Sequence, residues 1–150
     1  MKFWANGFSS STVPEWEDRS IISLMGPTSR DGFATNIVVT RQPVTESSIT
    51  AFAKEQLDQL AREVPQIEVL DERTITVGGE SAFQRLHVLQ IKGQKVQQAQ
   101  TYLMQSNDTG TTGFVITCSA SPDEFPRHMP VFRRFTEEFR FFDPLAGGPT

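Results

Sequence analysis

This chain of 150 residues is poor in the residues that usually carry chemistry: one cysteine (Cys118), one tyrosine (Tyr102) and two histidines (His87 and His128). One cysteine excludes an internal disulfide and leaves no zinc-type ligand spacing. Nucleophilic catalysis needs a base and an orienting group near the nucleophile. His87 and His128 have no spacing that joins them to each other or to Cys118. Asp18, Asp31 and Asp71-Glu72 lack EF-hand spacing, and Gly78-Gly79 lacks the strand–glycine–helix context of a nucleotide loop. The expectation is no catalytic residue, no metal and no cofactor.

Positive charge is scarce too. Fourteen Lys and Arg face eighteen Asp and Glu, a formal net charge of −4, which argues against a nucleic-acid partner. No stretch approaches the roughly 20 apolar residues of a spanning helix. Residues 1–7 lack the apolar core of a secretory signal. These absences predict a cytoplasmic protein without membrane association. With no repeat and no long Pro/Gly linker, residues 1–150 read as a single domain, 143–150 being a flexible tail.

What the chain does have is β-structure. Residues 20–25 and 35–40 are rich in β-branched residues and flank a polar loop, 26–32, whose tip should be mobile. Ile49, Phe52, Ala53, Leu57, Leu60, Ala61 and Val64 recur at three- and four-residue intervals, the stripe of an amphipathic helix. Ser47 or Ser48 can cap it, and Pro65 stops it. Strands at 67–77, 81–91, 95–105 and 114–120 then form a meander, with Gly78-Gly79 and Lys92-Gly93-Gln94 as turns. Ser121-Pro122-Asp123-Glu124 matches a capping box. Pro126 and Pro130 interrupt the first turn after that box, so the second helix should begin near Pro130, with Val131, Phe132, Phe135 and Phe139 as its apolar stripe. Arg140-Phe141-Phe142 reads as a short extended end. The class is α+β: an antiparallel sheet with two helices packed on one face.

The uncovered face then becomes the candidate site. Gln98 and Gln100 alternate with other residues along their strand. Residues 20–25 carry apolar side chains on both faces, Ile21 and Met25 against Ile22 and Leu24. Periodicity leaves open whether both faces are buried or one is an exposed binding surface.

Val13-Pro14-Glu15-Trp16-Glu17-Asp18-Arg19-Ser20-Ile21, Asn36-Ile37-Val38-Val39-Thr40-Arg41 and the run 114–125 together resemble the DcrB-related family. Within it, the chain looks most like the Eag chaperones of bacterial type VI secretion. That resemblance implies a PsbP-like sandwich, a homodimer, and no catalytic residue or cofactor. Members hold the N-terminal transmembrane helices of a toxin effector and help load it onto the spike protein. They grip the client with aliphatic residues on the early strands, which correspond here to Ile21 and Val38. Ser23 stands where an aliphatic residue is common. Ile22, Leu24 and Met25 would compensate if the register shifts by one, and Gln98 and Gln100 would bond small polar groups of the client. Two other readings stay open. One is a stand-alone DcrB-related binding or scaffold module. The other is an enzyme or small-ligand carrier with a closed pocket at His87, Cys118 or Tyr102.

Overall fold

Six runs rich in β-branched and aromatic residues make one antiparallel sheet in the computed structural model, which describes residues 2–141 except 6, 12, 47 and 109. In chain order the elements are β1 (Lys2–Ala5), β2 (Phe8–Ser11), β3 (Ile21–Thr28), β4 (Ala34–Val44), α1 (Ile49–Glu63), β5 (Glu68–Val77), β6 (Glu80–Ile91), β7 (Gln94–Asn107), β8 (Gly110–Ala120) and α2 (Phe125–Glu137). β1 and β2 pair with each other as a separate hairpin, which the sequence pattern had not suggested. The main sheet runs β3-β4-β8-β7-β6-β5, and each neighbour pair is antiparallel. β5 to β8 form the expected meander. Gly78 and Gly79 turn β5 into β6 with φ of 59° and 82°, the left-handed conformations a two-residue hairpin needs.

α1 follows its sequence signals. The Ser48 hydroxyl accepts the Ala51 N–H at 3.2 Å, the chain leaves the helix at Val64, and Pro65 follows. Ser47, the other proposed cap, lies outside the described residues. Phe52 and Ala53 are fully buried. The Phe52 ring meets Tyr102 edge-on, with centroids 5.8 Å apart. Gly113 of β8 lies directly beneath. A Cβ there would stand 2.5 Å from the Phe52 ring and 2.6 Å from Val44, so only glycine fits.

The helices do not share a face, contrary to the sequence expectation. Phe52 packs with Tyr102 and Val115, whereas Phe125 and Phe132 of α2 pack with Leu103, Ile116 and Cys118. Successive strand residues point to opposite sides, so the two clusters lie on opposite faces of one sheet. Each face carries enough apolar residues to hold one helix, and two helices can cover two faces as readily as one. The α+β class and the antiparallel sheet stand; the layering is helix, sheet, helix.

α2 also starts earlier than expected, at Phe125, and Glu124 makes no side-chain cap. Pro126 sits in the first turn, where its missing N–H costs nothing. Pro130 lies inside the helix, and the carbonyl it leaves unbonded belongs to exposed Pro126. Beyond the helix, the Phe141 ring packs at a tilt on Phe114, centroids 4.9 Å apart, and meets Phe139 edge-on at 5.5 Å. Phe142 and the tail 143–150 lie outside the described residues.

The loop expected to be mobile is pinned. β3 continues to Thr28 through an irregularity after Met25. Ser29 N–H donates to the Phe33 carbonyl at 2.7 Å, and Gly32 N–H to the Ser29 carbonyl at 3.0 Å. The Asp31 carboxylate accepts from the Ser29 hydroxyl, from the Phe33 N–H at 3.1 Å and from the Ser121 hydroxyl at 2.7 Å. Ser121 therefore ties the start of α2 to the β3–β4 loop instead of capping its helix.

These contacts make two outcomes testable. Gly113→Ala should lower stability by about 1–3 kcal/mol through overpacking against Phe52, read by chemical denaturation; an unchanged midpoint would contradict the close approach. The hydrogen bonds from Ser29, Ser121 and Phe33 hold the Asp31 carboxyl at about 2, below its ordinary 3.8. A depressed carboxyl stabilises the fold above its unfolded value and loses that contribution as pH falls through its folded value. The melting-temperature gap between wild type and Asp31→Asn should stay constant above pH 3.8 and close as pH approaches about 2. A gap that is already closed at neutral pH would show that the clip contributes nothing.

Candidate functional site

Strand register sorts the sheet's side chains into transverse rows, and three rows cross the face that carries α1. The first is Ile21, Thr40, Val115, Tyr102, Phe83 and Thr74. The second is Ser23, Val38, Thr117, Gln100, Arg85 and Glu72. The third is Met25, Asn36, Ser119, Gln98, His87 and Val69. α1 packs on the β6–β7 side of these rows, where Tyr102, Arg85 and His87 are buried. Toward β3 the rows open, and Ile21 and Met25 are each 67% exposed.

Ile21, Ser23, Val38, Gln98 and Gln100 thus lie together on one face within three adjacent rows. Ile21 is outside the core, and Val38 is only half-buried. Ile22 and Leu24 do not join them. They pair with Val39 and Ile37 on the opposite face, the side of α2. Met25 shares the face of Ile21 and Ser23, flanking Ser23 on that face without any shift of register.

Behind this open strip the face is polar and internally wired. Arg85 is 2% exposed, and its guanidinium donates to Glu72 at 3.1 and 3.2 Å, to the Ala53 carbonyl of α1 at 3.1 Å and to the Tyr102 hydroxyl at 2.9 Å. Tyr102 donates in turn to Gln100 Oε1 at 2.5 Å, and Gln100 Nε2 donates to Thr117 at 3.2 Å. Burial pushes the Tyr102 hydroxyl up to about 12, so it stays a donor. In the next row, His87 Nε2 lies 2.8 Å from Gln98 Oε1, and Gln98 Nε2 donates to Ser119 at 3.0 Å. Burial lowers the His87 pKa, so the ring is neutral at pH 7. The Gln98 carbonyl oxygen then takes the Nε2–H, and Nδ1 is left buried without a partner.

Sequence reasoning missed Arg85, Thr117 and Ser119, and weighed Glu72 only as a calcium ligand. The available signal was the alternation of amide and hydroxyl residues, Gln98/Gln100 on one strand and Thr117/Ser119 on the next. Only the register reveals that they pair.

His87 is sealed and neutral, and Cys118 lies on the other face, where burial pushes its thiol up to about 12 against a hydrogen bond with Thr136. Among the described residues, no three His, Cys, Asp or Glu side chains cluster to hold a metal, and no helix is long and apolar enough to cross a membrane.

The DcrB family model matches residues 11–128. No curated protein matches the chain. Solved structures with a similar fold include three from different bacteria. PA94 of Pseudomonas aeruginosa, described as a protein of unknown function and a candidate regulator, superposes with a TM-score of 0.81 at 15% identity, covering 95% of this chain and 97% of that one. LpqN of Mycobacterium tuberculosis, described as involved in cell envelope biogenesis, gives 0.55 at 16% identity over 84% of each chain. The cyanobacterial PsbP of Synechocystis gives 0.57 at 10% identity, over 81% of this chain and 82% of that one. The fold is therefore PsbP-like, as the resemblance implied.

The buried thiol yields a direct check. Thiolate is the reactive form, so Cys118 should resist iodoacetamide in the folded protein at about pH 8 and be alkylated once denaturant is added. Rapid alkylation of the folded chain would mean that this face opens readily.

Proposed function

We propose, from the premise that this chain belongs to the DcrB family, that it is a non-enzymatic chaperone or adaptor for an apolar protein segment. The client we infer is the N-terminal transmembrane helix region of a type VI secretion effector, held in the cytoplasm by a homodimer before transfer to the spike. The observation that carries this reading is the open strip of Ile21, Met25 and Val38 beside the Gln98/Gln100 rows.

An apolar helix in water aggregates unless its surface is covered. At about 25 cal/mol per Å², shielding ~400 Å² of apolar surface yields on the order of 10 kcal/mol before association costs. The exposed side chains of β3 supply such surface. Gln98 and Gln100 each keep one amide hydrogen beyond their bonds to Ser119 and Thr117, a donor for small polar groups on a client helix. β3 is also an edge strand with one side unpaired, which gives a second copy or the client itself a place to pair. A second reading, a module for a soluble partner, draws on the polar row Ser23, Thr117 and Gln100, which crosses the middle of the strip.

The test is co-expression with the N-terminal segment of an effector encoded beside this protein, followed by pull-down and mass determination. Ile21→Asp combined with Val38→Asp should abolish the complex while circular dichroism and melting stay near wild type. A double variant that still captures the client would sink the site assignment. A client that remains insoluble beside well-folded wild-type protein would favour the soluble-partner module.

A further inference from the structure

The other face of the sheet carries a second feature. Between α2 and the β5–β6–β7 side lies a cavity of about 340 Å³. Protein interiors rarely leave voids larger than a water molecule. This one would hold roughly ten waters at about 30 Å³ each, and it reaches the size range of small-molecule sites. Its origin is geometric: α2 packs over β8, and Ala99 is too small to fill the space beside it.

The walls are mixed. Leu86, Ala99, Met129 and Phe132 are apolar, while half-buried Gln84 and buried Thr136 carry polar groups that are already engaged, Gln84 Nε2 with Thr101 at 3.1 Å and Thr136 with the Cys118 thiol. Water needs two to four polar partners to be stable in a cavity, whereas apolar voids accept apolar guests. The charged lining residues mark the mouth: exposed Arg73 and half-buried Asp71 on β5, and exposed Arg133 and Glu137 on α2. Arg73 is neutralised by Asp71 at 2.5 Å. Arg133 has no ion pair among the described residues, and neither does the Glu137 carboxylate one turn further along.

We propose that this cavity binds an unbranched aliphatic carboxylic acid. The chain, about ten heavy atoms long by the volume argument, lies against Leu86, Ala99 and Phe132. The carboxylate sits at the mouth on Arg133, in competition with Glu137. The site is independent of the client face, because the sheet separates the two.

Decanoate is the probe, titrated by calorimetry and by amide chemical-shift mapping on the full chain. Binding should shift Leu86, Ala99, Cys118 and Thr136 and leave Val38 and Gln100 unmoved. Arg133→Gln should weaken decanoate about tenfold, as expected for a lost charge-assisted hydrogen bond, while Glu137→Gln should tighten it. Ala99→Leu fills the space and should abolish binding with the melting temperature held or raised. Decanol binding as tightly as decanoate, or shifts confined to the α1 face, would overturn the proposal. So would an absence of binding together with a higher melting temperature for Ala99→Leu, since the cavity would then be a packing void. A lysophospholipid bearing the same chain tests the source: weaker binding than decanoate supports the free acid, and equal or tighter binding overturns it in favour of a lipid.

Discussion

The structure turns on a guanidinium that has been taken out of water. Arg85 sits at the centre of the α1 face, and removing such a charge from solvent costs several kcal/mol unless its donors are met. Four bonds to Glu72, the Ala53 carbonyl and the Tyr102 hydroxyl meet that demand, while the Phe83 and Tyr102 rings lie 5.5 and 5.3 Å from its carbon. One of those partners is the backbone of α1. The helix must therefore lie over β6 and β7, with Phe52 lodged against Gly113. A shift along the sheet would orphan the guanidinium.

That constraint shapes the rest of the face. With α1 held over β6 and β7, the β3–β4 side is left without a helical cover, and there the rows end in Ile21, Ser23 and Met25. The strings from Arg85 through Tyr102 and Gln100, and from His87 through Gln98, run from the buried centre toward this open side. They hold the amides of Gln98 and Gln100 in fixed orientations.

The opposite face answers to different physics. α2 is anchored at its start by Ser121 and Asp31 and along its length by Phe125, Phe132 and the phenylalanines around Phe114. Its buried side chains are Phe125 and Phe132 together with His128 and Thr136, and the mismatch between helix and sheet leaves the cavity beside Ala99. One sheet thus presents a polar-floored open strip on one side and a helix-roofed space of mixed lining on the other. Period-two alternation allows this because each strand serves both faces without compromise.

Much of the fold was legible in the residues alone. The strands declared themselves by β-branched runs, the hairpins by Gly78-Gly79 and Lys92-Gly93, and α1 by its stripe between Ser48 and Pro65, because these are local preferences of the backbone. The start of α2 was placed too late because Pro126 and Pro130 read as interruptions, although one sits in the first turn and the other inside the helix. Ser121 matched a cap, yet its hydroxyl had a carboxylate partner ninety residues away at Asp31. The pinned β3–β4 loop and the burial of Arg85 escaped notice for the same reason: both depend on long-range partners. So did the choice of face for each helix, and the separation of Ile22 and Leu24 from Ile21 and Val38. Sequence by itself determined which segments are strands and helices, the absence of a recognisable catalytic pattern, and the family resemblance. Only the tertiary structure decided which side chains share a face, since register and helix placement are set by packing and buried hydrogen bonds between residues distant in the chain.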